Sequence, residues 1–378
     1  MKTVRVGIIG QGRSGRDIHA RYLKTDARFK IVAVADPIPL RRERAIQDFG
    51  CEAVPDYSDL LKRKDLDLIV NSSMSHQHVP ITLEAFKAGF NVLCEKPLAS
   101  RVKDVDRLIA ASQKCKRVFA IYQQARFAPY FQQVQSVIKS GVLGRIVQIN
   151  IHFNGFGRRW DWQTLQDHNG GNLMNTGPHP LDQALVLFGE GMPTVHCFMD
   201  RANTCGDAED HVKLLLSGEG HPLIDLEISS CCAYPCFTYH VYGTRGGLKG
   251  TQTEMNWKYF KENEAPKIKL IETPLAKPDG TPSYCAGDQL TWYDVKWPSD
   301  ESAPKSTGAY SAAAAPTQGG MTGSFYNMLY KTLTRGTALE ITPEQVRRQI
   351  AVIELCHKQA PAIYGKRKNA TAKSKVKR

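Results

Sequence analysis

The chain has 378 residues, 42% hydrophobic and 23% charged, a balance that suits a folded protein of two domains and excludes a disordered or fibrous one. No apolar run reaches the roughly 18 residues of a membrane span. The first apolar stretch is short, carries Arg5 and lacks a small-residue cleavage site, so the cytoplasm is the expected location and no membrane partner is expected. The net charge of +13 invites a nucleic-acid reading, yet seven of the basic groups lie in Lys366–Arg378, which holds no acid, leaving six net charges on the body. Such a tail is expected to be disordered, with a polyanion-binding tail as the alternative, and no nucleic acid enters the main reading. Ten cysteines in a long chain without a secretory signal imply no disulfide framework. Cys232, Cys236 and His240 fall in a stretch (Cys231 to Tyr242) that reads as strand, where residues four apart are separated by ~13 Å, so no metal is expected there.

Along the first third, short apolar runs alternate with helical patterns, the mark of a parallel sheet wrapped by helices. Thr3–Ile9 reads as strand and Ser14–Leu23 as helix; Lys30–Ala35 is a second strand, followed by a charged helix over Leu40–Phe49. Leu66–Val70, Asn91–Cys94 and Arg117–Tyr122 continue the sheet, with helices over Pro80–Ala88 and Val105–Ser112 between them. The pattern then changes. After a helix over Pro129–Ser140, Gly144–Phe153 alternates as a strand with one solvated or docked face. A helix near Leu181–Phe188 precedes strand-like runs at Val195–Met199, His211–Leu216, Leu223–Ile228, Thr238–Tyr242 and Lys267–Ile271. Trp297–Gly320 is rich in Pro, Ser, Ala and Gly and reads as a mobile loop or lid. Two helical stretches close the chain, Ser324–Thr334 and Thr342–Lys358, the second opened by a capping box with Pro at its first position. The expected fold is therefore α/β: a Rossmann domain over residues 1–126, then an α+β domain over 127–365 with a large, mainly antiparallel open sheet, then the tail at 366–378.

Gly10-Gln11-Gly12-Arg13-Ser14-Gly15 is a Gly-x-Gly-x-x-Gly element that follows a strand, opens a helix and begins a βαβ unit. Its glycines suit a tight turn, close approach of backbone to a pyrophosphate, and tight helix–strand packing, with free N–H groups at the helix start facing phosphates. Asp36 ends the second strand, twenty-one residues past Gly15, where a carboxylate accepts hydrogen bonds from the adenosine ribose and repels a 2′-phosphate. This favours NAD, with NADP possible because Arg41 and Arg42 lie just beyond.

At Cys94-Glu95-Lys96-Pro97 the chain resembles the glucose–fructose oxidoreductase, inositol dehydrogenase and MocA (Gfo/Idh/MocA) family. Ser73-Met74-Ser75-His76-Gln77-His78 is similar to the loop which that family sets beside the cofactor, and Arg126-Phe127 to its Arg-Phe segment. Gly170 to Asp182 resembles its Gly-Gly…Asp-x-Gly-x-His-x-x-Asp motif; Tyr242–Gly247 and the Thr342–Cys356 helix also fit. The resemblance implies that Ser73, His76, His78, Glu95 and Lys96 border the cofactor, that Lys96 sits between nicotinamide ribose and substrate, and that His179 is the general base. Asn175 stands where the family usually has aspartate, and Asp182, three residues past His179, is expected to supply part of the missing charge or to pack or cap. Pro178 and Pro180 are tolerated only in a first helical turn, which puts His179 at the positive end of a helix dipole and keeps it neutral. Arg158-Arg159-Trp160-Asp161-Trp162 carries the aromatic and bidentate groups that carbohydrate sites use, so Arg159, Trp160 and Trp162 join Tyr122 and Arg126 as substrate candidates.

The implied activity is NAD-dependent oxidation of a secondary hydroxyl of a sugar, polyol or glycoside. Two alternatives stay open: a glycoside-processing enzyme with a tightly held cofactor in a redox-neutral cycle, and a non-catalytic dinucleotide-sensing binding protein. A homo-oligomer (dimer, tetramer or higher) through the open sheet is expected, as the family commonly assembles there.

Overall fold

The structure, a computed structural model, describes residues 2–298 and 320–365. Six strands form a parallel sheet: β1 (Val4–Ile9), β2 (Phe29–Ala35), β3 (Glu52–Val54), β4 (Leu68–Asn71), β5 (Asn91–Cys94) and β6 (Phe119–Ile121), in the order β3-β2-β1-β4-β5-β6. The central strands are apolar along their whole length because helices cover both faces: Val6, Ile8, Leu68, Ile69, Val70, Val92 and Leu93 are fully buried. The order reverses between β1 and β4, so the chain ends of these two strands open the crevice in which open α/β sheets bind ligands.

Eight strands form the second sheet: β7 (Ile146–Asn154), β8 (Thr194–Asp200), β9 (His211–Ser217), β10 (Leu223–Ser229), β11 (Tyr239–Gly243), β12 (Gly246–Gly250), β13 (Met255–Tyr259) and β14 (Tyr293–Trp297), in the order β14-β13-β12-β11-β7-β10-β9-β8. All its pairs are antiparallel except β7 with β10. Burial alternates along β8 and β9, so one face packs on helices while the other carries Lys213, Asp225, Glu227 and Phe198.

Several elements differ from the sequence reading. Lys267–Ile271 is not a strand; it is irregular, and Ile268 and Leu270 are both 79% exposed, so its alternation never meets a partner. The sequence reading assigned no strand at β3, whose three residues are too few for periodicity, nor at β12, β13 and β14, although glycine-rich β12 pairs on both sides. The run Cys231–Phe237 is irregular and the strand begins only at Tyr239. Trp297, placed at the start of the proposed lid, ends β14 instead; the rest of that lid, residues 299–319, and the basic tail, 366–378, lie outside the described residues. The chain also returns to the first sheet. Phe325, Tyr326, Met328 and Leu329 of the Met321–Arg335 helix are buried in one cluster with Val6, Ile8 and Tyr22, so the 127–365 division does not describe where this helix packs.

Candidate active site

The glycine loop lies directly after β1. Gly10 has φ 89°, and a side chain there would meet the Ser72 carbonyl at 2.4 Å; a Cβ on Gly15 would sit 1.8 Å from the Gly10 oxygen. Both glycines are required by the fold itself. Gly12 is different: a Cβ there would meet only the Arg41 guanidinium, at 3.9 Å. Its bare backbone faces open space at the start of the Arg13–Ala20 helical segment, a shape that fits a pyrophosphate. Asp36, 2% exposed, accepts from the Gln11 N–H at 2.7 Å and the Ile38 N–H at 2.9 Å, and the Arg41 guanidinium lies 3.5 Å away. These residues fit a dinucleotide: Gly12, Arg13 and Ser14 at its phosphates and Asp36 at its adenosine ribose.

Glu95 and Lys96 follow directly on β5. Glu95 is buried; burial alone would raise its pKa, but the His19 hydrogen bond and the Lys96 charge outweigh that and hold it down to about 2. One carboxylate oxygen lies 3.1 Å from His19 Nε2 and the other accepts the Lys96 backbone N–H at 3.0 Å. The carboxylate thus fixes the backbone of Lys96, leaving its side chain to reach the second half of the molecule. There the ammonium donates to the Asn175 backbone oxygen at 2.8 Å. Burial lowers the Lys96 pKa; Glu95 opposes this, and the Arg13 and Arg159 charges add to it.

His179 is the second residue of the Pro178–Phe188 helix and is buried. Its pKa is pushed down to about 3, first by burial and then by the Lys96 ammonium. The imidazole is therefore neutral at physiological pH, with burial as the leading cause where the sequence pointed to the helix dipole. Asn175 keeps its side chain for another partner: Oδ1 accepts from Gln163 Nε2 at 3.0 Å, and the Gln163 carbonyl accepts from Arg159. Lys96 and Arg159, the neutral His179 imidazole and the Asn175 amide are thus linked by hydrogen bonds or by their charges, with Arg13 of the glycine loop also acting on Lys96.

Residues 4–123 match the NAD-binding Rossmann-fold domain of the GFO/IDH/MocA oxidoreductase family, and residues 131–249 match that family's C-terminal domain. The chain belongs to the Gfo/Idh/MocA family. It is 26% identical over 257 residues to 2,7-anhydro-N-acetylneuraminate hydratase of Mediterraneibacter gnavus, covering 66% of this chain and 67% of that one. It is 29% identical over 206 residues to inositol 2-dehydrogenase of Salmonella typhimurium, covering 53% of this chain and 60% of that one. Among solved structures, an NAD-binding protein from Listeria innocua superposes with a TM-score of 0.77 at 21% identity, covering 96% of this chain and 98% of that one. The WlbA dehydrogenase from Chromobacterium violaceum, in complex with NADH and UDP-GlcNAcA, does so at 0.72 and 16% identity, covering 96% and 95%. These two likenesses concern the fold.

Not every candidate residue of this Gfo/Idh/MocA chain reaches the site. Tyr122 is 1% exposed; its hydroxyl pairs with Thr322 at 2.9 Å and its ring packs on His19 and Phe325, so it belongs to the core beneath the Met321–Arg335 helix. Arg126 and Asp182 form a buried bidentate pair, with Arg126 Nε 2.9 Å from Asp182 Oδ2. Asp182 is thereby committed to Arg126, correcting the expectation that it supplies charge to His179. His78 is buried between the Pro97 and Ser73 carbonyls, at 2.7 and 3.1 Å, and shapes the cofactor loop from within instead of facing a ligand. His76 packs edge-on against His168, 4.6 Å between ring centres, and His168 packs in turn on Trp162, so this trio bridges the two halves. Trp160 stands 81% exposed in solvent. The sequence reading missed Gln163, which joins Asn175 to Arg159, and Asn71, which accepts from the Ser73 hydroxyl at 2.7 Å and donates to the His78 carbonyl. Neither stands out in sequence, because an amide carries no spacing signature.

Proposed function

We propose that this protein oxidises a secondary hydroxyl of a sugar, polyol or glycoside, with NAD as the cofactor and Lys96 and His179 at the reacting hydroxyl. The observation that carries this reading is the approach of the Lys96 ammonium, just past β5, to the neutral, buried His179 of the Pro178–Phe188 helix, close enough for its charge to lower the imidazole pKa. The dinucleotide supplies the hydride acceptor. His179, uncharged above about pH 3, takes the hydroxyl proton. Lys96 donates a hydrogen bond to the same oxygen and stabilises the negative charge that develops there. Gln163 and Arg159 orient the Asn175 amide at the rim, where hydroxyls are recognised. The carboxylate of Asp36 supports NAD over NADP.

The test is a screen of NAD and NADP reduction against monosaccharides, inositols and glycosides, repeated with Lys96→Ala and His179→Ala. Loss of turnover by at least a hundredfold in both is expected; full activity in both refutes the assignment. A second reading has one observation in its favour, the relative whose name is a hydratase: a tightly held cofactor cycling without net redox change. Stoichiometric nicotinamide in the purified protein, with turnover but no change in absorbance at the NADH band, would select it. We also propose a cytoplasmic homo-oligomer assembled through the outer face of the eight-stranded sheet, where Phe198 is 64% exposed. Phe198→Arg should reduce the mass measured by sedimentation, and an unchanged assembly would move the interface elsewhere.

A further inference from the structure

A buried carboxylate outside the proposed reacting groups is tied to them through one turn of backbone. Glu209 precedes β9 and is 1% exposed. Its Oε1 accepts the Leu173 N–H at 2.8 Å, its Oε2 accepts the Tyr364 hydroxyl, and its backbone oxygen accepts the Asn172 N–H at 3.0 Å. Leu173 belongs to the short Asn172–Asn175 turn, and it is the Asn175 oxygen at the end of that turn that holds the Lys96 ammonium. Gly171 has φ 104°, and a side chain there would meet the carboxylate at 2.4 Å, so the turn is seated directly on Glu209. A cavity of about 10 Å³ is lined by Glu209 together with Asn172, Asn175, Gln163 and Arg159.

We infer that Glu209 is a positioning residue whose protonation sets how firmly the Asn172–Asn175 turn presents the Asn175 carbonyl to Lys96, with Tyr364 clasping it from the C-terminal segment. The inference rests on the proposed role of Lys96. Ionised, the carboxylate makes charge-assisted bonds to Leu173 and Tyr364, which are roughly twice as strong as neutral ones; protonated, it relaxes its hold on the turn. Burial pushes the Glu209 pKa up to about 7, with Asp210 adding to the rise and Tyr364 and the Leu173 N–H opposing it. Around it stand the Cys356 thiol and, lining the same cavity, Arg159, while Asp207 and the His357 ring, stacked at 3.8 Å, act on the Tyr364 side of the clasp.

The test needs no substrate. Trace acetylation of Lys96 by acetic anhydride in the full chain, normalised to exposed Lys269 and read by peptide mass spectrometry, reports the accessibility of the ammonium between pH 5.5 and 8.5. In the wild type the ratio should fall with rising pH, by up to about fivefold, with a midpoint near 7. Glu209→Gln should flatten the curve. Tyr364→Phe removes a bond that favours the ionised form and should move the midpoint upward, which keeps the inference testable if Glu209→Gln fails to fold. A flat wild-type curve, or an unmoved midpoint in Tyr364→Phe, overturns it. Absence of dehydrogenase activity with the wild-type midpoint intact would instead count against the oxidoreductase reading alone.

Discussion

Gly12→Ala and Gly15→Ala make the sharpest comparison available in the cofactor loop, because the two glycines are there for different physical reasons. At Gly15 an added methyl would lie 1.8 Å from the Gly10 oxygen and 2.8 Å from the Ser72 hydroxyl. The first of these is backbone, so β1 and the helix must move apart, at a cost of about 3 kcal/mol or more. At Gly12 the methyl meets nothing nearer than 3.9 Å, and the backbone there (φ −74°, ψ −161°) is one that alanine adopts without strain. Its effect on folding should stay within about 1 kcal/mol. For a bound pyrophosphate the order reverses: the Gly12 methyl occupies the space over the loop and should weaken NADH by at least tenfold, about 1.4 kcal/mol. Calorimetric Tm and NADH titration by fluorescence separate the two effects. Gly15→Ala should melt several degrees lower, whereas Gly12→Ala should melt like the wild type and bind poorly. Wild-type NADH affinity in a well-folded Gly12→Ala protein would show that the phosphates do not sit over this loop.

Asp36→Ala should raise the NADH Kd about tenfold while leaving NADPH little changed, narrowing the preference measured by the same titration; an unchanged ratio would remove Asp36 from cofactor choice. Arg126 and Asp182 are each largely buried, so Asp182→Ala leaves the guanidinium without a counter-ion, bonded only to Gln345 and the Glu340 carbonyl, and should cost about 3 kcal/mol in urea unfolding, whereas the Arg126→Met, Asp182→Leu double variant should recover most of it. Additive losses would mean that the pair is not coupled. An unfolded imidazole takes its proton near 6.5, but folded His179 refuses it until about 3. The unfolded state therefore binds the extra proton between those values, and stability falls as pH drops through that window. His179→Gln should flatten the fall of the urea midpoint between pH 7 and 4; an identical fall in the variant would refute the buried neutral imidazole.

The glycine loop, the parallel sheet and the start of the His179 helix were all legible in the sequence, because each is dictated locally. Gly10 turns at positive φ and Gly15 packs on the Gly10 oxygen, the buried strands are continuously apolar, and Pro178 and Pro180 admit only a first helical turn. What failed was long-range. Tyr122 ends the sheet where ligands usually bind, and nothing near it in sequence says that Thr322 and Phe325, two hundred residues on, cover it. Asp182 lies one turn from His179, yet Arg126, 56 residues earlier, claims it through two hydrogen bonds. The arm from Lys261 to Trp292 has alternating apolar residues but no strand to pair with, so periodicity alone gave Lys267–Ile271 a partner it does not have.

Asn175 looks in sequence like the loss of a charge, and the structure gives that loss a definite consequence. Lys96 is held by the Asn175 backbone oxygen, a contact that any residue at this position can make. The side chain is thus free to change without loosening the ammonium. A carboxylate in its place would favour the charged form of Lys96 and raise its pKa. The amide does not, so burial and the Arg13 and Arg159 charges are opposed only by Glu95, and the pKa of Lys96 stays lowered. The amide also keeps a carbonyl for Gln163, which carries the link on to Arg159. Asparagine here therefore shifts the site toward a lysine that yields its proton more readily, with the Lys96 anchor itself untouched.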